Sequence, residues 1–225
     1  MTNLILPFVS VILGALVVVL WKPKQLKPIK ILLAFSGAFL LSITVFELLP
    51  AVFGSNHDGH LGLWVMGGIL IQIFLESFSK GAEHGHIHLN HTNRFPWGLF
   101  MGLCLHAFLE GTPIDQHEHL IWGVLIHKLP IAILIAYFLW KSPLSKLQIW
   151  LFLFVFAIMT PIGTWSVQAF NGLQKITMEL NALVIGIFLH VSTTILFESA
   201  EGHRFNSTKL LAIVGAILLA YFIHH

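Results

Sequence analysis

Residues 96–140 read PWGLFMGLCLHAFLEGTPIDQHEHLIWGVLIHKLPIAILIAYFLW. Two apolar runs, near 96–112 and 119–140, flank a short polar stretch, and neither shows the polar face a soluble helix presents. A bilayer core takes about 20 apolar residues per helix, so the pair reads as two membrane spans joined by a turn. Working outward, proline and polar punctuation places further spans near 3–21, 29–50, 61–79, 149–167, 178–198 and 208–224. The fourth of the eight is the least apolar and, with the eighth, the shortest, as expected of a helix that lines something wet. Eight spans would use about 160 residues. Little but loops then remains of the 225-residue chain. The expectation is an all-α integral membrane protein with one membrane domain over residues 1–225.

Composition supports this. The chain is 56% hydrophobic and 10% charged, with mean hydropathy +0.85; soluble domains carry about 25% charged residues. The first apolar segment lacks a basic start and a small-residue cleavage site, and is read as a retained helix. Cys104 is the single cysteine, so no intrachain disulfide is expected. No nucleotide-binding motif is present, nothing points to nucleic acid, and the bilayer itself is the expected partner. A homodimer is left open.

Lysine and arginine set the orientation. Lys22, Lys24, Lys27, Lys30, Lys80, Arg94, Lys141, Lys146, Arg204 and Lys209 fall in alternate loops on one side, whereas Lys175 stands alone on the other and Lys128 lies within a span. Positive residues accumulate on cytoplasmic loops, which predicts eight spans with both termini extracytoplasmic, in an inner or plasma membrane. The basic loops face anionic headgroups. A weaker signal relates the second span, with Gly37-Ala38-Phe39-Leu40, Ser42, Thr44 and Phe46-Glu47, to the seventh, with Gly186-Ile187-Phe188-Leu189, Ser192, Thr194 and Phe197-Glu198. Spans five apart cross in opposite directions. If the similarity is not chance, the layout is a 3+2+3 inverted repeat with the substrate site at its centre.

Ionisable groups within spans mark function by default. His106 and Glu110 are four apart and share one helix face. The next span adds His127 and Lys128, with Pro130 expected to kink it at Ile126. Gly98 and Gly102 let the fourth span approach a neighbour closely. These groups are either a hydrogen-bonded interhelical cluster or a divalent-cation site; two histidines and a carboxylate suit zinc. Fourteen histidines against twelve Lys+Arg favour the second reading.

The sequence His106-Ala107-Phe108-Leu109-Glu110-Gly111 resembles the HNFPEG-type motif on the fourth helix of ZIP (Zrt-, Irt-like) transporters. His127-Lys128-Leu129-Pro130-Ile131-Ala132 is similar to the HEIPHE-type motif on their fifth, and Glu47-Leu48-Leu49-Pro50 to the end of their second. The histidine-rich loop before the fourth span and eight spans with both ends outside also match. The resemblance implies a metal site on helices 4 and 5, comprising His106, Glu110 and His127 here. Ala107, Lys128 and Ala132 depart from family ligand positions. The Lys128 ammonium would repel a second cation and pair with Glu110 when no metal is bound, so the expected site is mononuclear.

Accessory positions follow. His84, His86, His88 and His91, with Glu83, are either a solvated loop or a metal-delivery or sensing segment. His117, Glu118 and His119, with Asp115, either attract cations at the entrance or are simply solvated; His57, Asp58 and His60 read the same way. His190, Thr194 and Glu198 form a polar stripe, while Glu47 and Glu198 suit outer and inner gates. Gln72, Glu76 and Lys80 read as structural, with Glu76 and Lys80 satisfying each other, and Cys104 as packing. The expected function is movement of zinc, or else iron or manganese, into the cytoplasm as substrate, with no cofactor. The alternatives are an intramembrane zinc hydrolase using Ser192 or Glu198, although no HExxH motif is present, and a transport-inactive metal sensor.

Overall fold

The computed structural model describes residues 2–21, 23, 27–54, 59–79, 95–198 and 207–225. Among them there is no strand. Eight long helices run as α1 Thr2–Trp21, α2 Lys27–Ile43, α3 Gly59–Ser79, α4 Trp97–Gly111, α5 Leu120–Trp140, α6 Lys146–Ala169, α7 Thr177–Glu198 and α8 Ser207–His224. Helix α2 continues through a π-helical turn, Thr44–Leu48, into Leu49–Phe53. Pro50 has no N–H for the Phe46 carbonyl and its ring crowds that carbonyl. A widened turn relieves the conflict and turns Glu47 with it.

Seven of the eight helices are long and apolar enough to cross a membrane. The exception among the expected spans is α4, whose 15 residues reach about 22 Å against a core of about 30 Å. Pro96 precedes it, and the turn through Thr112 and Pro113 ends it.

Helix α5 is the hub. In its most apolar 18-residue stretch 78% of residues are buried, against 22% for α3 and 11% for α8. Helix α1 packs on α5 much as α6 packs on α4, and α3 packs on α7 as α8 packs on α2. Lipid tails are as apolar as leucine, so tight contact rather than hydrophobic exclusion holds such helices together. Glycine provides it twice. A Cβ at Gly163 would sit 2.0 Å from the Phe108 carbonyl oxygen, and one at Gly111 2.2 Å from that of Thr160, so α4 and α6 touch backbone to backbone. Gly68 and Gly186 do the same for α3 and α7. Upstream, Gly98 lies against the Phe78 carbonyl of α3. Helix α5 runs through Pro130 as one unbroken element, and α6 opens with a Ser145–Gln148 capping box.

Gly163→Ala is expected to destabilise the bundle by about 1–3 kcal/mol, measured as a lower unfolding midpoint in detergent. Gly172→Ala, on the short helix Asn171–Lys175 where a Cβ meets nothing within 4 Å, should leave the midpoint unchanged.

Candidate metal centre

Helices α4, α5 and α6 bring His106, Glu110, His127, Lys128 and Thr160 together at 0–4% exposure. A buried charge is tolerated only when paired and hydrogen-bonded. Lys128 Nζ forms a close ion pair with Glu110 Oε1 and donates to Thr160 Oγ1 at 2.6 Å. The single Thr160 hydroxyl proton faces Glu110 Oε1 at 2.7 Å and the Ala107 carbonyl at 3.0 Å. The ammonium also lies 4.6 Å from the Phe156 ring centroid, an attractive cation–π placement. Next to it, Thr164 donates to the Gly111 carbonyl at 2.8 Å, satisfying a terminal group of α4.

The other half of the site belongs to histidine. Glu110 Oε2 lies 3.5 Å from His106 Nε2, and the rings of His106 and His127 are 6.4 Å apart. His106 Nδ1 meets Gln72 Oε1 of α3 at 3.0 Å. An amide oxygen accepts, so Nδ1 carries the proton and Nε2 keeps its lone pair for the site. That Nε2 is buried and makes no hydrogen bond among the described residues. Among the described residues, no three His, Cys, Asp or Glu side chains form a ready metal cage; the lysine ammonium stands beside Glu110. Ala132 is fully buried, and a Cβ on Gly14 of α1 would come 2.7 Å from its Cβ. Helix α1 therefore leaves no room at 132 for the second glutamate of the helix-5 motif.

Other polar groups extend from this cluster. Glu76 lies one turn beyond Gln72 on α3, and its Oε2 is 2.8 Å from His190 Nε2 of α7, with both side chains about one-fifth exposed. Glu76 is thus tied across helices to His190; Lys80, its expected partner, lies outside the described residues. So do His57, Asp58, Glu83, His84, His86, His88 and His91, and the side chain of Glu198. At the other end, Glu47 Oε1 accepts the His119 backbone N–H at 3.2 Å, at the start of α5. His119 packs on His224 with ring centroids 5.8 Å apart, His117 Nε2 lies 3.2 Å from Asn181 Nδ2, and Asp115 accepts from Gln168 at 2.7 Å. His60 pairs locally with Trp64. Cys104 is buried in the apolar core, as expected of a packing residue.

Sequence reasoning overlooked Thr160, Asn181 and His224, and assigned Gln72 only a structural part. A hydroxyl beside Pro161 and an asparagine inside apolar runs were the available signals for the first two. Nothing in the C-terminal sequence pairs His224 with His119.

Removing one partner of a buried ion pair costs about 3–5 kcal/mol because the other charge is stranded. Lys128→Met should therefore lower the unfolding midpoint sharply, and adding Glu110→Leu should restore much of the loss. A second expectation concerns His117, in the turn between α4 and α5. Burial holds its pKa below the ordinary 6.5, outweighing the opposite pull of Glu47. Its folded state favours neutral imidazole, so the stability it contributes is complete above about pH 6.5 and is lost as pH falls through the lowered value. The acid-side drop in unfolding midpoint should be smaller in His117→Gln than in the wild type.

The sequence model described as ZIP Zinc transporter matches residues 80–223. That stretch holds His106, Glu110, His127, Lys128, Thr160 and His190, whereas Glu47, Gln72 and Glu76 lie before it. No curated protein matches the chain. With well over half of its length matched, the chain belongs to the ZIP zinc transporter family.

Proposed function

We propose that the chain carries a divalent metal ion toward the cytoplasm, zinc first and iron or manganese next, through a mononuclear site made by His106, Glu110 and His127. The family supports metal transport in general. The observation that carries the finer reading is the buried Lys128–Glu110 pair standing against His106 Nε2. Lysine here is a tethered cation in the place a metal would take. An arriving ion exchanges with the ammonium for Glu110, takes the lone pair of His106 Nε2, and recruits His127 and water. Lys128 has a flexible four-carbon stem that can withdraw while Thr160 keeps hold of the carboxylate.

The polar groups on either side supply a route. Glu47, His117 and His119 stand near the turn between α4 and α5, and Asp115 on that turn adds negative charge at the entrance. Gln72, Glu76 and His190 lead the other way, toward the loop with His84, His86, His88 and His91, with Glu198 as the inner gate. The paired contacts of α1 with α5 and α6 with α4, and of α3 with α7 and α8 with α2, support an inverted repeat over residues 1–225 with α4 and α5 at its centre. On that reading α4 is the eighth span; its C-terminal end at Glu110 and Gly111 is buried, while Trp97 at its start is exposed. The lysine distribution supports extracytoplasmic termini in an inner or plasma membrane. The ion is substrate, and no cofactor takes part.

Uptake of ⁶⁵Zn²⁺ into proteoliposomes tests this. Saturable uptake by the wild type should vanish in His106→Ala. Gln72→Leu, which removes only the partner that orients His106, should weaken zinc about 10–100-fold, as losses of such partners do. Zinc binding without uptake in the wild type would favour the metal-sensing reading.

A further inference from the structure

A cavity of about 550 Å³ opens between the end of α1 and the turn joining α5 to α6, away from the metal centre. Val18, Val19 and Pro23 line one side, Tyr137 and Trp140 the other, and Lys141 and Lys146 stand at its rim. Lys141 caps the C-terminus of α5; its ammonium bonds the Tyr137 hydroxyl and lies 4.1 Å from that ring's centroid. An ammonium has three protons, so two remain for another acceptor. Lys146 is exposed at the first position of α6, directly after the Ser145 cap.

Charge at this place is one-sided. Residues 1–46 contain no aspartate or glutamate, and neither do residues 119–178. No carboxylate on any element lining the cavity neutralises either lysine. The level is interfacial as well. Trp140 packs edge-on against Trp150 with centroids 5.5 Å apart, and Trp21 is 83% exposed, the placement of an aromatic belt. The end of the bundle is the one whose loops carry most of the lysines. A soluble anion would use the ammonium groups but leave the valine wall unmatched.

We infer that this groove binds an anionic phospholipid, its phosphate between Lys141 and Lys146 and an acyl chain along Val18 and Val19. Basic pockets between spans on the cytoplasmic side recognise such headgroups. The bound lipid would fasten α1 to the α5–α6 turn, at the far end of the helix that carries His127 and Lys128. The inference does not depend on the identity of the transported ion.

Native mass spectrometry of the full chain in neutral detergent tests it, with phosphatidylglycerol and phosphatidylcholine as probes. The wild type should retain phosphatidylglycerol in preference to phosphatidylcholine. Lys141→Ala/Lys146→Ala should lose about 30-fold in phosphatidylglycerol affinity, from about 1 kcal/mol per lysine at 1.4 kcal/mol per tenfold. Lys141→Arg/Lys146→Arg should bind as the wild type does. Val19→Trp, which fills the groove and keeps both lysines, should also bind weakly, and this covers a failure of the double alanine variant to fold. Equal retention of the two lipids by the wild type would overturn the inference, as would equal phosphatidylglycerol binding by the double alanine variant. Displacement of the lipid by millimolar inorganic phosphate would overturn it too, by showing a site for free anions.

Discussion

A lysine ammonium and a glutamate carboxylate, each about 98% shielded from solvent, sit in a bundle whose other interior groups are overwhelmingly apolar. Neither ion is tolerable alone at such depth, because desolvation costs several kcal/mol per charge. Their mutual attraction meets part of that cost, and Thr160 and the Phe156 ring supply most of the remaining contacts. Glu110 comes from α4, Lys128 from α5 and Thr160 from α6. One electrostatic requirement thus fixes three helices relative to one another, and the register of His106 and His127 follows from it. The proposed metal centre and the structural clamp share the same atoms.

That clamp closes only because the backbones come near enough. Gly111 and Gly163 remove the side chains that would hold α4 and α6 apart, which puts Thr160 beside both the Ala107 carbonyl and Glu110. On the opposite flank, Gly14 lets α1 press on Ala132. A family glutamate position has become a packing position here, and the charge beside Glu110 is provided by Lys128 instead. Beside Glu110 the site thus carries one fixed cation, the Lys128 ammonium.

The polar groups beyond the centre are organised by the same economy of unpaired charge. Glu47 is turned by the π-helical segment ahead of Pro50 and satisfies the start of α5. Glu76 meets His190 across the α3–α7 contact that Gly68 and Gly186 permit. Glu47, Glu76 and Glu110 thus each have a partner on a different helix.

The all-helical, multi-pass membrane character and the candidate residues of the proposed centre could be picked out in the chain because they depend on composition and on spacing along one helix. The apolar runs of residues 96–140, the four-residue interval between His106 and Glu110, and the neighbouring His127 and Lys128 carry that information without any fold. What could not be read was every relation between distant residues. Gln72 repeats a polar pattern within α3, and nothing local shows that it faces His106 thirty-four residues away. Glu76 has Lys80 a helical turn beyond it, yet its described partner is His190, 114 residues on. Thr160, Ala132 against Gly14, and the lysine groove at the end of α1 likewise exist only once helices touch. Sequence by itself determined which side chains are too costly to leave alone in lipid; tertiary structure decided which partners they have, because that choice depends on which backbones can approach within hydrogen-bonding reach.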